Sequence, residues 1–147
     1  MTEDLHVRSM ESRDAQAVAE LAGELGYART ADDVRGWLAA VGDGGAQAAF
    51  VAEADGRVVG WVEACLERRI QSEPYALIGG LVVREGVRGQ RIGRRLCEAA
   101  EQWARGQGVM LSRVTSRSTR EDAHRFYLRD GYAMVKTSVV FEKRLDA

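Results

Sequence analysis

The chain alternates between two hydrophobic rhythms. From Ser12 to Gly26, the residues Val18, Leu21, Ala22 and Leu25 fall at the i, i+3, i+4, i+7 spacing of one helix face. Ser12 stands where a cap is favoured and Gly26 where a helix stops. Thr30 opens a second such segment, with Val34, Trp37, Leu38 and Val41 on one face, broken by Gly42, Gly44 and Gly45. The remaining pattern is mostly that of strands. Residues 5–10 read as a first strand, and 48–54 and 57–68 as a hairpin around Asp55-Gly56. Residues 75–83 are nearly all apolar or glycine, the mark of a buried strand. After a glycine-bearing loop, a long helix places Ile92, Leu96, Ala99, Ala100, Trp103 and Ala104 on one face. Glu101 and Arg105 sit at i, i+4 on the other, and Gly106 and Gly108 stop it. Residues 110–115 form another strand. Ser118-Thr119-Arg120-Glu121 reads as a capping box for a helix that carries Phe126 and Tyr127 and ends at Gly131. The remainder, to Leu145, reads as two strands in which Val139, Phe141 and Leu145 alternate with polar neighbours. The order is strand, two helices, three strands, helix, strand, helix, two strands: a mixed α/β domain.

Length and charge narrow the function classes. At 147 residues the chain reads as a single domain, 1–147, able to bury about two-thirds of its unfolded surface. Lys and Arg total 21 against 22 Asp and Glu, a net charge of −1, which argues against a general nucleic-acid binder. No segment has the apolar length of a membrane span. The start, Met1-Thr2-Glu3-Asp4, is acidic, unlike the basic start of a signal peptide. Cys65 and Cys97 form no Cys-x-x-Cys and read as reduced, packed thiols of a cytoplasmic protein. Two histidines far apart, His6 and His124, and no cysteine cluster give no metal site.

Candidate chemistry is concentrated in Leu81-Val82-Val83-Arg84-Glu85-Gly86-Val87-Arg88-Gly89-Gln90-Arg91-Ile92-Gly93-Arg94-Arg95-Leu96, a strand end, a tight loop and the first turns of a helix. Gly86, Gly89 and Gly93 let a backbone approach a ligand closely. The first helix amides have no intrahelical partner, the macrodipole makes that end positive, and Arg88, Arg91, Arg94 and Arg95 surround it. Such a loop suits a phosphate or pyrophosphate. The Gly-x-x-x-x-Gly-Lys-Ser/Thr loop and the Gly-x-Gly-x-x-Gly spacing of dinucleotide folds are both absent.

Arg88-Gly89-Gln90-Arg91-Ile92-Gly93 resembles the acetyl-CoA loop of the GNAT superfamily of N-acetyltransferases, Gln/Arg-x-x-Gly-x-Gly/Ala. It matches at Arg88 and Gly93 and departs at Arg91, where the pattern has glycine. Ala123-His124-Arg125-Phe126-Tyr127-Leu128-Arg129-Asp130-Gly131-Tyr132 resembles that superfamily's second signature, Ala-x-x-Phe-Tyr-x-x-x-Gly-Phe/Tyr, at the expected distance downstream. Two motifs in the right order are far more specific than either alone. The resemblance implies the GNAT acyl-CoA N-acyltransferase fold, an α/β fold with a mixed sheet, helices on both faces and splayed central strands. The pantetheine arm of CoA lies in that splay, pairing with strand backbone as an added strand would.

Residue by residue, the resemblance assigns the backbone of Leu81, Val82 and Val83 to the pantetheine and thioester carbonyl. It assigns the amides of Arg88, Gly89, Gln90, Arg91, Ile92, Gly93 and Arg94 to the pyrophosphate. Tyr127 takes the place of the tyrosine that protonates the CoA sulfur, a role that suits a neutral phenol. Arg120, where many members have asparagine, is assigned to a CoA phosphate. Gly79-Gly80 marks a bulge or close approach in the splayed strand. Many relatives carry a glutamate near there; this chain has none, and Glu63, Glu67, Glu73 or water remain open as the base. The implied reaction is acetyl transfer from acetyl-CoA, with no metal, to a primary amine of a small molecule, by direct attack in a ternary complex. The first two helices and residues 69–74 should line the acceptor pocket, where Glu67, Glu73, Trp37 and Tyr27 favour a cationic amine. A protein N-terminal or lysine acetyltransferase and a non-catalytic acyl-CoA sensor are the alternatives. Nucleic-acid and membrane partners are not expected, and a homodimer is left open.

Overall fold

The computed structural model describes residues 5–42, 45–87, 91–116 and 119–146. Its elements are β1 (His6–Ser9), α1 (Ala15–Glu24), α2 (Ala31–Val41), β2 (Gln47–Ala54), β3 (Arg57–Glu67), β4 (Tyr75–Val83), α3 (Ile92–Gly106), β5 (Ser112–Val114) and α4 (Glu121–Arg129). The chain divides into two compact units, Met1–Thr115 and Ser116–Ala147.

The first unit is a five-stranded sheet in the order β1-β2-β3-β4-β5, antiparallel except that β5 runs parallel to β4. Asp55 and Gly56, at φ 54° and 75°, make the tight turn between β2 and β3. On one face, Val18 and Leu21 of α1 pack on Val51, Val58 and Val82, with Val34 of α2 and Trp61 beside them. On the other, Ile92 and Leu96 of α3 lie so close to β3 that a Cβ at Gly60 would stand 3.2 Å and 3.1 Å from their methyl carbons. Ala104 and Trp103 of α3 continue that layer over Ala76 and Leu66. Leu21 and Leu96 are fully buried, each contributing about 1.5–3 kcal/mol of transfer free energy.

Local chemistry explains the helix ends. Thr30 caps α2: its hydroxyl accepts from the Asp33 amide and the Asp33 carboxylate accepts from the Thr30 amide, both at 3.0 Å. At the end of α1, Gly26 at φ 89° lets the Tyr27 amide reach back to the Ala22 carbonyl at 3.1 Å. Ser12 is not the cap of α1. Residues Ser12–Asp14 form a 3-10 turn, and the Asp14 carboxylate accepts from the Glu11 amide at 2.8 Å. Asp14 is only 4% exposed and receives both Nη1 and Nη2 of Arg8, each at 2.8 Å. Burial alone would raise its carboxyl, but the Arg8 guanidinium and the Glu11 amide outweigh that and hold it below the usual carboxylate range.

The second unit carries α4, which ends in the same way as α1. Gly131 at φ 93° allows the Tyr132 amide to bond the Tyr127 carbonyl at 3.0 Å. Arg120 stands at the N-cap with no side-chain cap bond, and Ser118 of the expected capping box lies outside the described residues. The two strands expected up to Leu145 are not found: no described residue after α4 belongs to a strand. Met134, Val135, Val139, Val140, Phe141 and Leu145 are exposed there. Alternation is a local property, whereas a strand exists only when a second strand takes up its backbone groups.

Candidate active site

The end of β4 is open along one edge. β5 pairs with β4 only from Ala76 to Ile78, while β3 follows β4 through Val83. Residues 79–83 therefore have a strand neighbour on one side and, among the described residues, none on the other. Leu81, Val82 and Val83 lie in this open stretch, with Val82 anchoring it in the core and the other two half-buried. The edge presents backbone donors and acceptors to an extended ligand.

The chain leaves β4 under firm control. The Arg84 amide donates to the Val59 carbonyl at 2.8 Å, and its guanidinium donates to the Val58 carbonyl at 3.0 Å. Glu24, at the end of α1, accepts from the Glu85 amide at 3.3 Å and lies 3.9 Å from the Arg84 guanidinium. Arg84 and Glu24 were not singled out in the sequence, because their partners are distant in the chain. Arg88, Gly89 and Gln90 lie outside the described residues.

α3 then begins with Arg91 at its N-cap, in the left-handed conformation with φ 63° and ψ 16°. That conformation explains why glycine stands at this place in the motif: a side chain here costs about 1–2 kcal/mol of steric crowding. Ile92 is buried against β3, which fixes the helix start. Gly93 is half-buried, and Arg94 is exposed with Glu98 3.6 Å away. The Arg95 amide bonds the Arg91 carbonyl at 2.9 Å.

The face of the sheet beneath α1 and α2 changes character along β3. Trp61 pairs with Val51 and Val82 in the apolar part; Glu63, Cys65 and Glu67 follow on the same face. Glu63 lies opposite Gly80 and Ala64 opposite Ile78, so Gly79 is an extra residue, a bulge in β4. The Glu63 side chain fills the space this bulge leaves. Its Oε1 crowds the point that a Cβ of Gly79 would take, with Cδ 3.1 Å from that point. Gly80 is likewise roofed, by the six-membered ring of Trp61 at 2.9 Å and 3.0 Å. Burial pushes the Glu63 carboxyl above its ordinary pKa.

The other two acid candidates differ. Glu67 accepts from Arg69 Nε at 3.2 Å and from the Cys65 thiol at 3.3 Å, and Glu73 is exposed. Burial, the bond to Glu67 and the nearby carboxylates push the Cys65 thiol up to about 11. At the edge of this face the guanidiniums of Arg113 and Arg69 lie 4.3 Å and 5.5 Å from the Tyr75 ring centre.

In the second unit, Tyr127 is half-buried, with its ring edge-to-face on Phe126 at 5.1 Å and Tyr132 at 5.9 Å. Arg120 is exposed, and its carbonyl accepts from the His124 amide at 3.1 Å.

Comparison with known proteins agrees with this geometry. The profile of the Acetyltransferase (GNAT) family matches residues 12–132, and the chain belongs to that family. An aminoalkylphosphonate N-acetyltransferase of Salmonella typhimurium (strain LT2) is 39% identical over 79 residues. The match spans 53% of this chain and 51% of that relative, about half of each. Among solved structures, an aminoglycoside N-acetyltransferase AAC(6')-Iy in complex with CoA superposes with a TM-score of 0.84. It is 17% identical, with 95% of each chain covered. A transcriptional regulator from Bacillus halodurans C-125 superposes at 0.80 with 21% identity, covering 95% of this chain and 99% of that one. At these identities the structural likeness speaks for the fold alone.

Proposed function

We propose that this chain, acting as a single domain, transfers the acetyl group of acetyl-CoA to a primary amine of a small molecule by direct attack in a ternary complex. The observation that carries the reading is the open edge of residues 79–83, with the start of α3 after it. The strand backbone from Leu81 to Val83 holds the pantetheine. The amides from Arg88 to Arg94 and the Arg120 side chain hold the phosphates. The amine nitrogen adds to the thioester carbonyl, the tetrahedral adduct loses the C–S bond, and Tyr127 gives its proton to the departing thiolate. In-line positioning and proton transfer are the two demands of this step.

Direct attack is supported by Cys65. A thiol raised to about 11 holds almost no thiolate at neutral pH, so it is a poor acyl carrier. A small amine is supported by the relative that acts on aminoalkylphosphonates.

The test has two stages. Acetyl-CoA and CoA should both raise Tm, and ATP should do much less, because ligands of the folded state alone stabilise it. CoA release is then measured with a panel of aminoalkylphosphonates, aminoglycosides, polyamines and peptide amines. Equal stabilisation by ATP removes the pantetheine cleft. A thermal response to acetyl-CoA with no CoA release favours a sensor, and turnover of peptide amines alone favours a protein acetyltransferase.

A further inference from the structure

We propose that Glu63 of β3, seated in the glycine bulge of β4, receives the acceptor amine and takes its proton. The inference rests on the reading of the chain as an N-acetyltransferase and names a residue of that same site.

Three observations carry it. Two glycines in succession open a space on one face of the sheet, and the Glu63 carboxyl group lies against it, too close for a Cβ at Gly79. The bulge lies where β5 has already left β4, at the first residue of the open edge. The carboxyl is thus built into the strand stretch that takes the thioester. Finally, Glu63 has no hydrogen bond and no ion pair among the described residues. An acid in a half-buried place with no cation is poorly solvated for its own sake. A bound ammonium group supplies the missing counter-charge, and its deprotonation leaves the amine lone pair free for the carbonyl.

The surroundings fit a single proton acceptor. The titratable groups on the same face include Cys65 and Glu67 of β3, Tyr75 of β4 and Arg113 of β5, with Arg8 of β1 held by Asp14 and by Glu53 of β2, and Arg84 held by the Val58 carbonyl and Glu24. Glu67 is already occupied by Arg69 and Cys65, and Arg113 lies over Tyr75. β2 presents only Ala49 and Gln47 opposite Glu63 and Cys65. Val18 and Leu21 of α1 and Val34 of α2 pack on this face, and Glu24 at the end of α1 is held by the Glu85 amide. No cation on these elements neutralises Glu63. Burial raises its pKa toward the operating range of a base, though the direction only supports what the geometry already places.

The chemistry balances without a further reagent. The ammonium form of the amine gives one proton to the Glu63 carboxylate. The neutral nitrogen attacks, the C–N bond forms and the C–S bond breaks. A second nitrogen proton leaves as the amide forms. The two protons end on the CoA thiol and on solvent, by way of Tyr127 and Glu63.

The experiment follows kcat and KM against pH for the wild type, Glu63→Gln, Glu67→Gln and Gly79→Ala, with an amine that the wild type acetylates. Each variant's thermal response to acetyl-CoA is recorded alongside. Glu63→Gln should lower kcat by about 100-fold or more. It should also erase the carboxyl limb on the acid side, leaving only the amine's own limb, while the acetyl-CoA response stays intact. Glu67→Gln should keep the limb. In Gly79→Ala the new methyl displaces the Glu63 carboxyl, the far end of a flexible side chain, so kcat should fall. The double variant should be no worse than Glu63→Gln alone, since the two changes remove one interaction. A Glu63→Gln enzyme with the wild-type pH profile overturns the proposal, as does loss of the limb in Glu67→Gln. A wild type that binds acetyl-CoA but acetylates no amine overturns the enzyme reading, and the role of Glu63 falls with it.

Discussion

Two carboxylates of the sheet unit show opposite solutions to the same problem. Asp14, before α1, is almost fully buried and fully partnered: Arg8 grips both oxygens and the Glu11 amide adds a third bond. Arg8 is shared with Glu53 of β2 at 2.9 Å, so the pair ties β1, β2 and the start of α1 together. Its carboxyl is held low. Glu63, in the bulge, is half-buried with no hydrogen bond or ion pair among the described residues, and its carboxyl is pushed up. Partners turn a buried charge into a fastening. Their absence makes it a group waiting for one, and a cost to the fold at neutral pH.

Breaking the fastening should have the largest effect on stability. Asp14→Ala leaves Arg8 with Glu53 alone and the Glu11 amide without its acceptor, and should cost about 1–3 kcal/mol in denaturant unfolding. Activity per folded molecule should be close to normal. An unfolding midpoint within error of the wild type would show that the pair is not a stabilising one.

The effect next in size sharpens the chemical side. Tyr127→Phe keeps the ring edge-to-face on Phe126 and Tyr132 but removes the hydroxyl proposed as the proton donor. It should lower kcat about tenfold or more, equivalent to roughly 1.4 kcal/mol in the barrier, with acetyl-CoA affinity near normal. Full activity would reduce Tyr127 to packing.

The sign of the pH dependence separates the two carboxylates directly. A raised folded-state pKa gives stability that is present below the unfolded value, near about 4.3, and is lost as pH rises through the folded value. Glu63→Gln should therefore raise Tm at pH 7, and the gain should close as pH falls. Asp14 has a lowered pKa, so its contribution is present above about 3.9 and is lost as pH falls through the folded value. The deficit of Asp14→Ala should likewise shrink in acid. If Glu63→Gln lowers Tm at pH 7, Glu63 is a structural group after all.

The smallest effect is expected at Arg91, where the strain lies in the backbone. Arg91→Gly relieves a left-handed residue at φ 63° but frees the unfolded chain, and the two effects are each about 1 kcal/mol. Stability should change little, and CoA affinity by less than about tenfold, roughly 1.4 kcal/mol. A larger loss of affinity would mean that the arginine itself grips a phosphate.

Much of the architecture was legible in the chain. The bounds of β4, the Asp55-Gly56 hairpin and the glycine stops at Gly26, Gly108 and Gly131 depend on neighbours within a few residues. The loop and second signature pointed to the family for the same reason: their chemistry is contiguous. Ser12 carries a local cap signal, but it falls in a 3-10 turn, and Asp14, buried and held by Arg8, stands at the N-cap of α1. The alternating residues after α4 predicted strands that have no ladder in the structure.

The sequence by itself determined where the backbone turns and which faces are apolar, since period, glycine and proximity along the chain decide these. It also contained Glu63, Glu67 and Glu73 without ranking them. Only the tertiary structure ranked them, by seating Glu63 opposite a one-residue bulge while giving Glu67 to Arg69 and Cys65. The physical reason is register. Which residue of β3 meets Gly79 and Gly80 is set by pairing two strands across a turn and then inserting one residue. A shift of a single position would turn Glu63 to the opposite face of the sheet.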